Sequence, residues 1–239
     1  SVKAMGEGLI DRLFYLTAKT ITRTVAQECF QLLSEQSLHF KFLTITAKEK
    51  MCFLEGSPEC NPASCPYAKG HYDRVNDCVY DMLIHENDMN RDTILSYAEK
   101  HNVCPFEMCL DAALFADSII CDYNYAFDPN VYLRRFFSEE KKGNFAFLID
   151  EAHNLVDRAR EMYSAVLVKE DFLKVKRIIN EESTKNYPSE IKYLFKIFAA
   201  SLDRCNKTML EWKHACDHFE LLEDISSFEF QLLRVVNSF

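Results

Sequence analysis

Residues 145–154 read Phe-Ala-Phe-Leu-Ile-Asp-Glu-Ala-His-Asn, and this stretch decides the fold. Five apolar residues typical of a strand lead directly into two adjacent carboxylates, Asp150 and Glu151, followed by His153. Phosphates and Mg²⁺ bind at the carboxyl ends of parallel strands in open α/β proteins. One acid can hold Mg²⁺ there while the other positions or deprotonates the attacking water. The order of residues favours this acid motif of P-loop-type nucleotide hydrolases over a buried strand that ends in solvated acids.

The sequence lacks the phosphate-binding loop that accompanies such acids. That loop needs the pattern G-x-x-x-x-G-K-[ST]. The chain has five glycines, and none of them is followed by Lys and then Ser or Thr. The first residue is Ser1 rather than Met. We therefore expect a piece of a longer ATPase, in which the metal-binding acid is present and the phosphate loop is not.

Composition restricts the class of protein. Apolar residues make up 48% of the 239 residues, which is enough for a real core, and the scarcity of Gly and Pro favours a helix-rich protein. No apolar run reaches 18 residues and the N-terminus has no signal-peptide pattern, so we expect a cytoplasmic protein without a membrane partner. The net charge of −9 argues against non-specific coating of nucleic acid. Any DNA-binding groove must therefore consist of a few well-placed basic and aromatic side chains.

Strand and helix patterns alternate in the first part of the chain. Strands are predicted at residues 12–17, 40–46, 118–121 and 145–150. A helix with apolar spacing is predicted between the first two strands, at residues 21–34, with Ile21, Val25, Phe30 and Leu33 facing inward. Strand, helix and strand at this spacing indicate a βαβ unit, and hence an α/β fold with a parallel sheet.

The amino-acid composition and the periodicity of the sequence change twice along the chain. Residues 49–104 are rich in Pro, Cys, Asn and Asp and contain helical stretches at 75–83 and 91–99. From about residue 156 onward, helical periodicity recurs at 169–182, 189–214 and 219–238, with no strand pattern. We therefore predict three domains: an α/β domain at 1–48 and 105–160, a cysteine-bearing insertion at 49–104, and a helical subdomain at 161–239.

Four of the ten cysteines form a candidate metal site. Cys52, Cys60 and Cys65 lie in one short segment rich in turn-forming residues, and Cys104 follows later, directly before Pro105. Without a secretory signal, clustered cysteines are first interpreted as metal ligands. Three clustered thiolates and a distant fourth suit an iron–sulphur site. Tetrahedral zinc is the main alternative, and four unrelated buried thiols are the third interpretation.

The remaining cysteines favour ordinary packing. Cys78, Cys29 and Cys121 fall on predicted helices and a strand as small apolar residues, and Cys109 is left unassigned although it could face the site. A second metal site is a weaker hypothesis than packing because its members do not share one helix face. Its four candidate ligands are Cys205, His214, Cys216 and His218.

Four motifs occur in an order known from one family. They are Thr-Ala-Lys-Thr at 17–20, Cys-Pro-Phe at 104–106, Ile-Cys-Asp-Tyr-Asn-Tyr-Ala-Phe-Asp-Pro at 120–129, and Asp-Glu-Ala-His-Asn-Leu at 150–155. Together they resemble the DinG/XPD-type iron–sulphur DNA helicases, most closely the bacterial DinG-like members. The resemblance covers residues 1 to about 165. It implies a partial RecA-like motor domain with an inserted Fe–S domain, and residues 161–239 match the family's Arch domain by position only.

The resemblance also implies cofactors and roles. A [4Fe–4S] cluster would be held by Cys52, Cys60, Cys65 and Cys104. Asp150 and Glu151 would be the Mg²⁺-binding and water-activating acids of a Walker B motif in DEAH form, acting on ATP. His153 would couple the nucleotide site to movement of the motor.

DNA contacts follow from the same resemblance. The enzyme type moves 5′ to 3′ on single-stranded or forked DNA and is associated with DNA repair. Thr17, Lys19 and Thr20 match a segment that contacts the DNA backbone, and Phe106 matches a base-contacting aromatic residue. The family often has a basic residue four positions after that aromatic, where this chain has Leu110.

The family binds ATP between two motor domains, and the second one, with its arginine finger, is not in this sequence. We therefore expect the chain alone to hydrolyse no ATP. Two alternatives remain open at the level of sequence: a non-enzymatic Fe–S or zinc DNA-binding module, and a zinc-stabilised interaction domain with no nucleic-acid role.

Two groups of residues are weaker candidates. Four residues beside the cysteines are predicted to lie near DNA: Tyr67, Lys69, His71 and Arg74. Two tyrosines after the third strand are predicted to pack against the edge of the sheet rather than to stack on bases: Tyr123 and Tyr125.

Overall fold

The computed structural model describes residues 1–18, 20–36, 38–54, 56, 59–138, 143–216, 222 and 224–236, and only the backbone of residues 20–22 and 235. The chain divides into two compact units, Ser1–Ser164 and Ala165–Phe239. Among the described residues, no helix has the length and apolar character needed to cross a membrane.

A parallel sheet organises the first unit. Its described strands are β1 (Arg12–Thr17), β2 (Phe42–Thr44), β3 (Asp88–Met89), β4 (Ser118–Asp122) and β5 (Phe145–Ile149). Their order is β3-β2-β4-β1-β5, and every described pair is parallel. The predicted α/β class with a parallel sheet is confirmed. Because parallel strands end on a common edge, β1, β4 and β5 carry the residues that follow them to one side of the sheet.

The predicted strands agree with the structure except where pairing is short. β1 has the predicted bounds, and β4 and β5 differ from the prediction by one residue. The strand expected at 40–46 shortens to β2, although the N–H of Ile45 still donates to the carbonyl of Ile120. β3 was not predicted, because two residues are too few to show any alternation.

Helices connect the strands and cover both faces of the sheet. In the first unit they are α1 (Val2–Gly6), α2 (Thr20–Glu35), α3 (Lys48–Met51), α4 (His71–His85), α5 (Arg91–His101), α6 (Pro105–Ala112), α7 (Asn124–Phe127), α8 (Arg134–Phe137) and α9 (Leu155–Met162), with short 3-10 turns at Ala113–Phe115 and Ala152–Asn154. Helix α5 begins at an Asn90 cap, whose side chain accepts from the N–H groups of Asp92 and Thr93.

The core alternates between the two faces of the sheet. Leu13 on β1 belongs to a cluster with Phe30 of α2, whereas Phe14 belongs to a larger cluster with residues of α4, α5 and α6. This is the period-two pattern of a strand that is buried on both faces. Phe30 is buried and Leu33 partly buried, as predicted, but Val25 is 61% exposed, so its inward assignment is wrong. The side chain of Ile21 lies outside the described residues.

Strand β5 is less buried than its apolar sequence alone would suggest. Within the described residues it pairs only with β1, and Phe147 and Leu148 are each 40% exposed. An apolar run indicates a strand but does not fix the number of neighbouring strands.

The second unit consists of helices, as predicted. They are α10 (Lys169–Ser183), α11 (Ser189–Ala215) and α12 (Ser226–Val236). Helix α12 starts later than the predicted 219, and residues 219–221, 223 and 237–239 lie outside the described part. Phe172, Leu202 and Phe228 meet in a small core with the buried Cys205. That burial favours packing over the second metal site, whose His218 also lies outside the described residues.

Candidate functional site

The acidic pair sits in a tight turn after β5, which we call the acid turn (residues 150–154). The N–H of Asp150 donates to the carbonyl of Leu16, 2.9 Å away, and so continues the pairing with β1. Glu151 then adopts a left-handed conformation with φ of 51° and begins the 3-10 turn. That conformation costs an L-residue about 1–2 kcal/mol. The strained backbone turns the chain sharply at the end of the strand.

The predicted catalytic side chains lie together and are open to solvent. The His153 Nε2 and the Glu151 Oε2 are 3.3 Å apart, and the His153 side chain is 74% exposed. Asp150 is half-buried beside them. The structure therefore brings Asp150, Glu151 and His153 to the carboxyl edge of the sheet, with their functional groups accessible to a ligand.

Tyr123 directly follows β4 and links the end of this strand to the ends of β1 and β5 through hydrogen bonds. Its N–H donates to the carbonyl of Thr17 at the end of β1, and its hydroxyl donates to the carbonyl of Asp150. The side chain is fully buried. Burial raises the pKa of Tyr123, and nearby Asp150 and Glu151 act in the same direction, so the phenol keeps the proton that it donates. Packing at the sheet edge was predicted, but the bond to the acid turn was not.

A groove of about 730 Å³ opens at the same edge of the sheet, and we call it the edge groove. Its walls carry three basic side chains, Arg23, Lys48 and Lys50, and two aromatic ones, Phe106 and Tyr125. Basic groups that follow a backbone, combined with rings on which bases stack, are the usual composition of single-strand binding sites. The walls also contain Glu49 and Asp122, so the groove is not uniformly basic.

The predicted DNA contacts are distributed unevenly around this groove. Phe106 lines it, as its assignment requires. Thr17 is fully buried, and its hydroxyl oxygen is 3.4 Å from the Nε of Arg23. Because it is buried, the Thr17 side chain cannot itself contact DNA in this arrangement. Arg23, which lines the groove, was not selected by sequence reasoning. Lys19 lies outside the described residues, and of Thr20 only the backbone is described.

The four candidate cysteines lie in the first unit beside the groove. Cys65 is buried, Cys52 and Cys104 are partly buried, and Cys60 is exposed. A hydrogen bond with Cys60 raises the pKa of Lys48, and nearby Cys104 adds to that rise. Burial raises the pKa of Cys104, with nearby Cys65 acting in the same direction. Lys48 therefore reaches Cys60, while Cys65 and Cys104 are neighbours.

The donor set fits a thiolate-bound group in its chemistry, since four thiols are the ligands that an iron–sulphur cluster takes. Within the residues that the structure describes, no group of three or more His, Cys, Asp or Glu side chains is arranged to hold a metal ion. The loop between Cys52 and Cys60 includes Glu55, Ser57 and Pro58, which are outside that part. An iron–sulphur cluster thus stays a prediction.

The other cysteines of the first unit differ in their exposure to solvent. Cys78, Cys109 and Cys121 are fully buried, and burial raises the pKa of Cys78 and of Cys109 to about 12. The assignment of Cys78 and Cys121 to the core is confirmed. Cys29 is exposed, so its assignment as a small packed residue is wrong.

A guanidinium clamp fixes the start of α4. The Arg74 Nη2 donates to the carbonyls of Lys69 and Asn102, at 2.8 and 2.7 Å. Gly70 has φ of 68°, and a Cβ there would lie 2.6 Å from the Arg74 Nη1. The clamp holds the turn before α4 against the turn before Cys104. Arg74 thus has a structural role that its predicted proximity to DNA did not include.

His71 was also predicted to lie near DNA, but it is 4% exposed, so a direct contact is excluded in this arrangement. Its burial lowers its pKa. The backbone N–H of Cys104 donates to the His71 Nδ1. Sequence could not have indicated this bond or the Arg74 clamp, because their partners Cys104 and Asn102 lie about 30 residues away along the chain.

A parallel sheet with a solvent-exposed acid turn and a neighbouring groove at its carboxyl edge defines a class of α/β domain, and comparison with known proteins identifies the family. The sequence model of the DEAD_2 family matches residues 17–172, more than half of the chain. The chain therefore belongs to the DEAD_2 family, and the resemblance to DinG/XPD-type helicases is confirmed at the family level.

Two curated relatives match parts of the chain. The chicken Fanconi anemia group J protein homolog is 37% identical over 71 residues, which is 30% of this chain and 5% of the relative. The Caenorhabditis elegans regulator of telomere elongation helicase 1 homolog is 26% identical over 180 residues, or 70% of this chain and 18% of the relative. The chain thus spans less than a fifth of either relative. Both come from animals, so the bacterial assignment stays a prediction.

Two solved structures are similar. One is described as a truncated XPD, with a TM-score of 0.48 and 13% identity, over 100% of this chain and 69% of that chain. The other is described as an XPD helicase, with a TM-score of 0.43 and 17% identity, over 95% and 43% respectively.

Proposed function

We propose that the chain is part of an ATP-dependent DNA helicase that moves 5′ to 3′ on single-stranded DNA. Residues 1–48 and 105–160 would form its first motor domain, 49–104 a [4Fe–4S] domain, and 161–239 part of an Arch-like subdomain. A second motor domain of the same polypeptide would complete the ATP site. The observation that carries the proposal is the common position of the acid turn and the edge groove at one sheet edge in a DEAD_2 chain.

The acid turn would supply the groups for hydrolysis. Asp150 would hold Mg²⁺ through its water shell, and Glu151 would orient the attacking water. The contact of His153 with Glu151 gives a path from the nucleotide to the surrounding turn. Tyr123 anchors the acid turn to the end of β4, and Asp122 of β4 lines the groove. A nucleotide at the acid turn and DNA in the edge groove would therefore bind to two segments that Tyr123 connects directly.

The edge groove would hold single-stranded or forked DNA. Arg23, Lys48 and Lys50 would meet phosphates, and Phe106 would stack on a base. Because the net charge is −9, the chain as a whole does not attract the DNA phosphates, and binding would be confined to the basic groups of the groove. Cys52, Cys60, Cys65 and Cys104 would hold the cluster, which supplies a cross-link between the loop and α6 when bound. DNA repair in a bacterial cytoplasm is the setting that the DinG-like resemblance implies.

Binding of a fluorescent single-stranded oligonucleotide, followed by anisotropy, tests the groove. Because stacking of one base is worth about 1–3 kcal/mol, Phe106→Ala should weaken binding about fivefold or more. Phe115→Ala is the matched control, since Phe115 is exposed and lies outside the groove. Equal affinities for the two variants would refute the groove as the DNA site.

Salt dependence tests the phosphate contacts separately. One lost contact lowers the slope of log K against log salt by about 0.7 on a single strand. Lys50→Gln should show this change, whereas Lys3→Gln should not, because Lys3 is an exposed residue on α1 paired with Glu7. An unchanged slope for Lys50→Gln would remove that side chain from the DNA path.

ATP hydrolysis tests the acid turn. The chain alone should show no DNA-stimulated ATPase activity, and a clear rate would contradict the proposed two-domain ATP site. In the longer protein, Glu151→Gln should abolish turnover while leaving nucleotide binding intact, because the amide keeps the shape but cannot activate water. A longer protein without any DNA-stimulated hydrolysis would favour a non-enzymatic DNA-binding module.

A further inference from the structure

His71 lies between two of the proposed cluster ligands. It is the first residue of α4, and its ring is almost completely buried. The carbonyl of Cys65 accepts from the N–H groups of Ala68 and Lys69, at 3.2 and 3.1 Å, so a tight turn leads from Cys65 to His71. On the other side, the backbone N–H of Cys104 donates to the His71 Nδ1 at 3.2 Å.

The bond from Cys104 fixes the tautomer of the ring. A ring nitrogen that accepts a hydrogen bond carries a lone pair, so the proton of the neutral imidazole must be on Nε2. The Nε2 is buried and has no hydrogen-bond partner among the described residues. An unsatisfied buried donor costs about 1–3 kcal/mol, so this atom is placed to meet an acceptor that the described part of the chain does not provide.

The nearby side chains that the structure describes do not supply this acceptor. Glu107 is close enough to influence the ring, but it is not within hydrogen-bond distance of Nε2, and its Oε2 lies 3.5 Å from the Arg135 Nη2. The ring makes a T-shaped contact with that of Tyr72, with the ring centroids 5.3 Å apart. The described residues thus leave Nε2 open to an acceptor on a bound group, and Cys65 and Cys104 are the proposed ligands on either side of His71.

The same geometry excludes His71 as a metal ligand. Ligation through Nε2 would require the lone pair there and the proton on Nδ1. Two N–H groups would then face each other across 3.2 Å, at His71 Nδ1 and Cys104 N. This distinguishes the arrangement from a zinc site with three cysteines and one histidine, in which the ring would ligate.

Building on the proposed iron–sulphur domain, we propose that His71 donates an Nε2–H hydrogen bond to a sulphur of the group held by Cys65 and Cys104. His71 is a positioning residue here, not a ligand. Hydrogen bonds to sulphur stabilise the more negative, reduced state of such clusters and so raise their reduction potential. The Arg74 clamp keeps the ring in place by tying the turn before α4 to Asn102.

The test compares reduction potentials after anaerobic reconstitution with iron and sulphide. His71→Phe keeps the size of the ring and removes the donor, so the protein should still turn brown but its midpoint potential should become more negative. His85→Phe is the matched control on the same helix, and it should leave the potential unchanged because His85 is exposed. Equal potentials for wild-type protein and His71→Phe would overturn the inference.

A second measurement keeps the inference testable if His71→Phe fails to fold. Wild-type protein labelled with ¹⁵N-histidine is reconstituted, reduced and studied by pulsed EPR. A weak ¹⁵N coupling with an exchangeable proton is expected for an N–H···S contact. A strong coupling, as from a directly bound nitrogen, or no coupling at all would contradict it.

The outcomes separate this inference from the proposed function. A colourless wild-type protein that takes up zinc but no iron would overturn both the cluster and the role of His71. A brown protein whose potential and spectra do not respond to His71 would overturn the inference alone, and the proposed helicase would stand.

Discussion

The two compact units differ in how much of their apolar surface they bury. In the first unit, Phe14 and Leu16 are inaccessible to solvent within a core that spans both faces of the sheet. In the second unit, Leu202 and Phe228 belong to a core of only a few buried side chains among the described residues. The acid turn, the edge groove and the candidate cysteines all belong to the first unit. Groups that need accurate placement are thus held where packing is deepest.

The largest expected effect comes from the core of the first unit. Phe14 contacts the rings of Phe136, Phe137, Phe145 and Phe147. Phe14→Ala should lower the free energy of unfolding by about 3–5 kcal/mol, measured by urea denaturation. The exposed Phe115→Ala serves as the control, with a change within about 0.5 kcal/mol. Similar losses for both variants would remove the contrast between core and surface.

The core of the second unit should respond less and locally. Leu202→Ala should cost about 2–3 kcal/mol, because a thin helical core can close partly around the space left. Circular dichroism at 222 nm should show an earlier loss of helix, and hydrogen exchange should place it in α10–α12. Leu194→Ala, at a half-exposed position on the same helix, should be nearly neutral. If the β-strands lost protection together with these helices, the two units would not be separate in stability.

Removal of one hydroxyl should loosen the acid turn. Tyr123→Phe deletes the donor to the Asp150 carbonyl and should cost about 1–2 kcal/mol, because the remaining carbonyl loses a buried partner. Hydrogen exchange at residues 150–154 should accelerate more than in the rest of the sheet. Tyr72→Phe, which changes an exposed side chain, should alter neither quantity. Unchanged exchange at the turn would mean that Tyr123 does not position it.

Alkaline pH should weaken the first unit through its buried thiols. The pKa of Cys78 and of Cys109 is raised to about 12 in the folded protein from an ordinary 9.0. Their contribution is therefore complete below pH 9 and is lost as pH rises toward 12, since only the unfolded chain releases the protons. Each thiol should account for about 1 kcal/mol between pH 8 and 10.

The check is the pH dependence of urea denaturation under reducing conditions. The double variant Cys78→Ala with Cys109→Ala should flatten the loss above pH 9, although it is less stable at pH 7. Replacement of the exposed Cys29 by Ala is the matched control, since it removes a thiol that is not buried. A slope that persists in the double variant would assign it to other groups.

The sequence predicted the features that depend on local order. β1, β4 and the parallel α/β class follow from apolar runs with helices between them, and the order of residues in the acid turn places the carboxylates directly after a strand. The buried positions of Phe30 and Cys78 follow from helical periodicity. Each of these depends on residues within a few positions of one another.

The features that the sequence did not predict depend on partners far away along the chain. Val25 fits an apolar helix face but faces solvent, and β5 is apolar although Phe147 and Leu148 are each 40% exposed. The bond from Tyr123 to Asp150 and the clamp at Arg74 join segments about 27 or 28 residues apart. No spacing rule links such residues, because turns and packing bring them together only in the folded chain.

The left-handed backbone at Glu151 sets apart two ways of removing its carboxylate. Glutamine keeps a Cβ in the unfavourable region, whereas glycine enters it without steric cost. Glu151→Gly should therefore make the fold slightly more stable than Glu151→Gln, although both lack the acid. A β-branched residue there should be the least tolerated of all. An acid in this conformation lowers the stability of the fold relative to glycine, and the proposed role of Glu151 in hydrolysis would account for that cost.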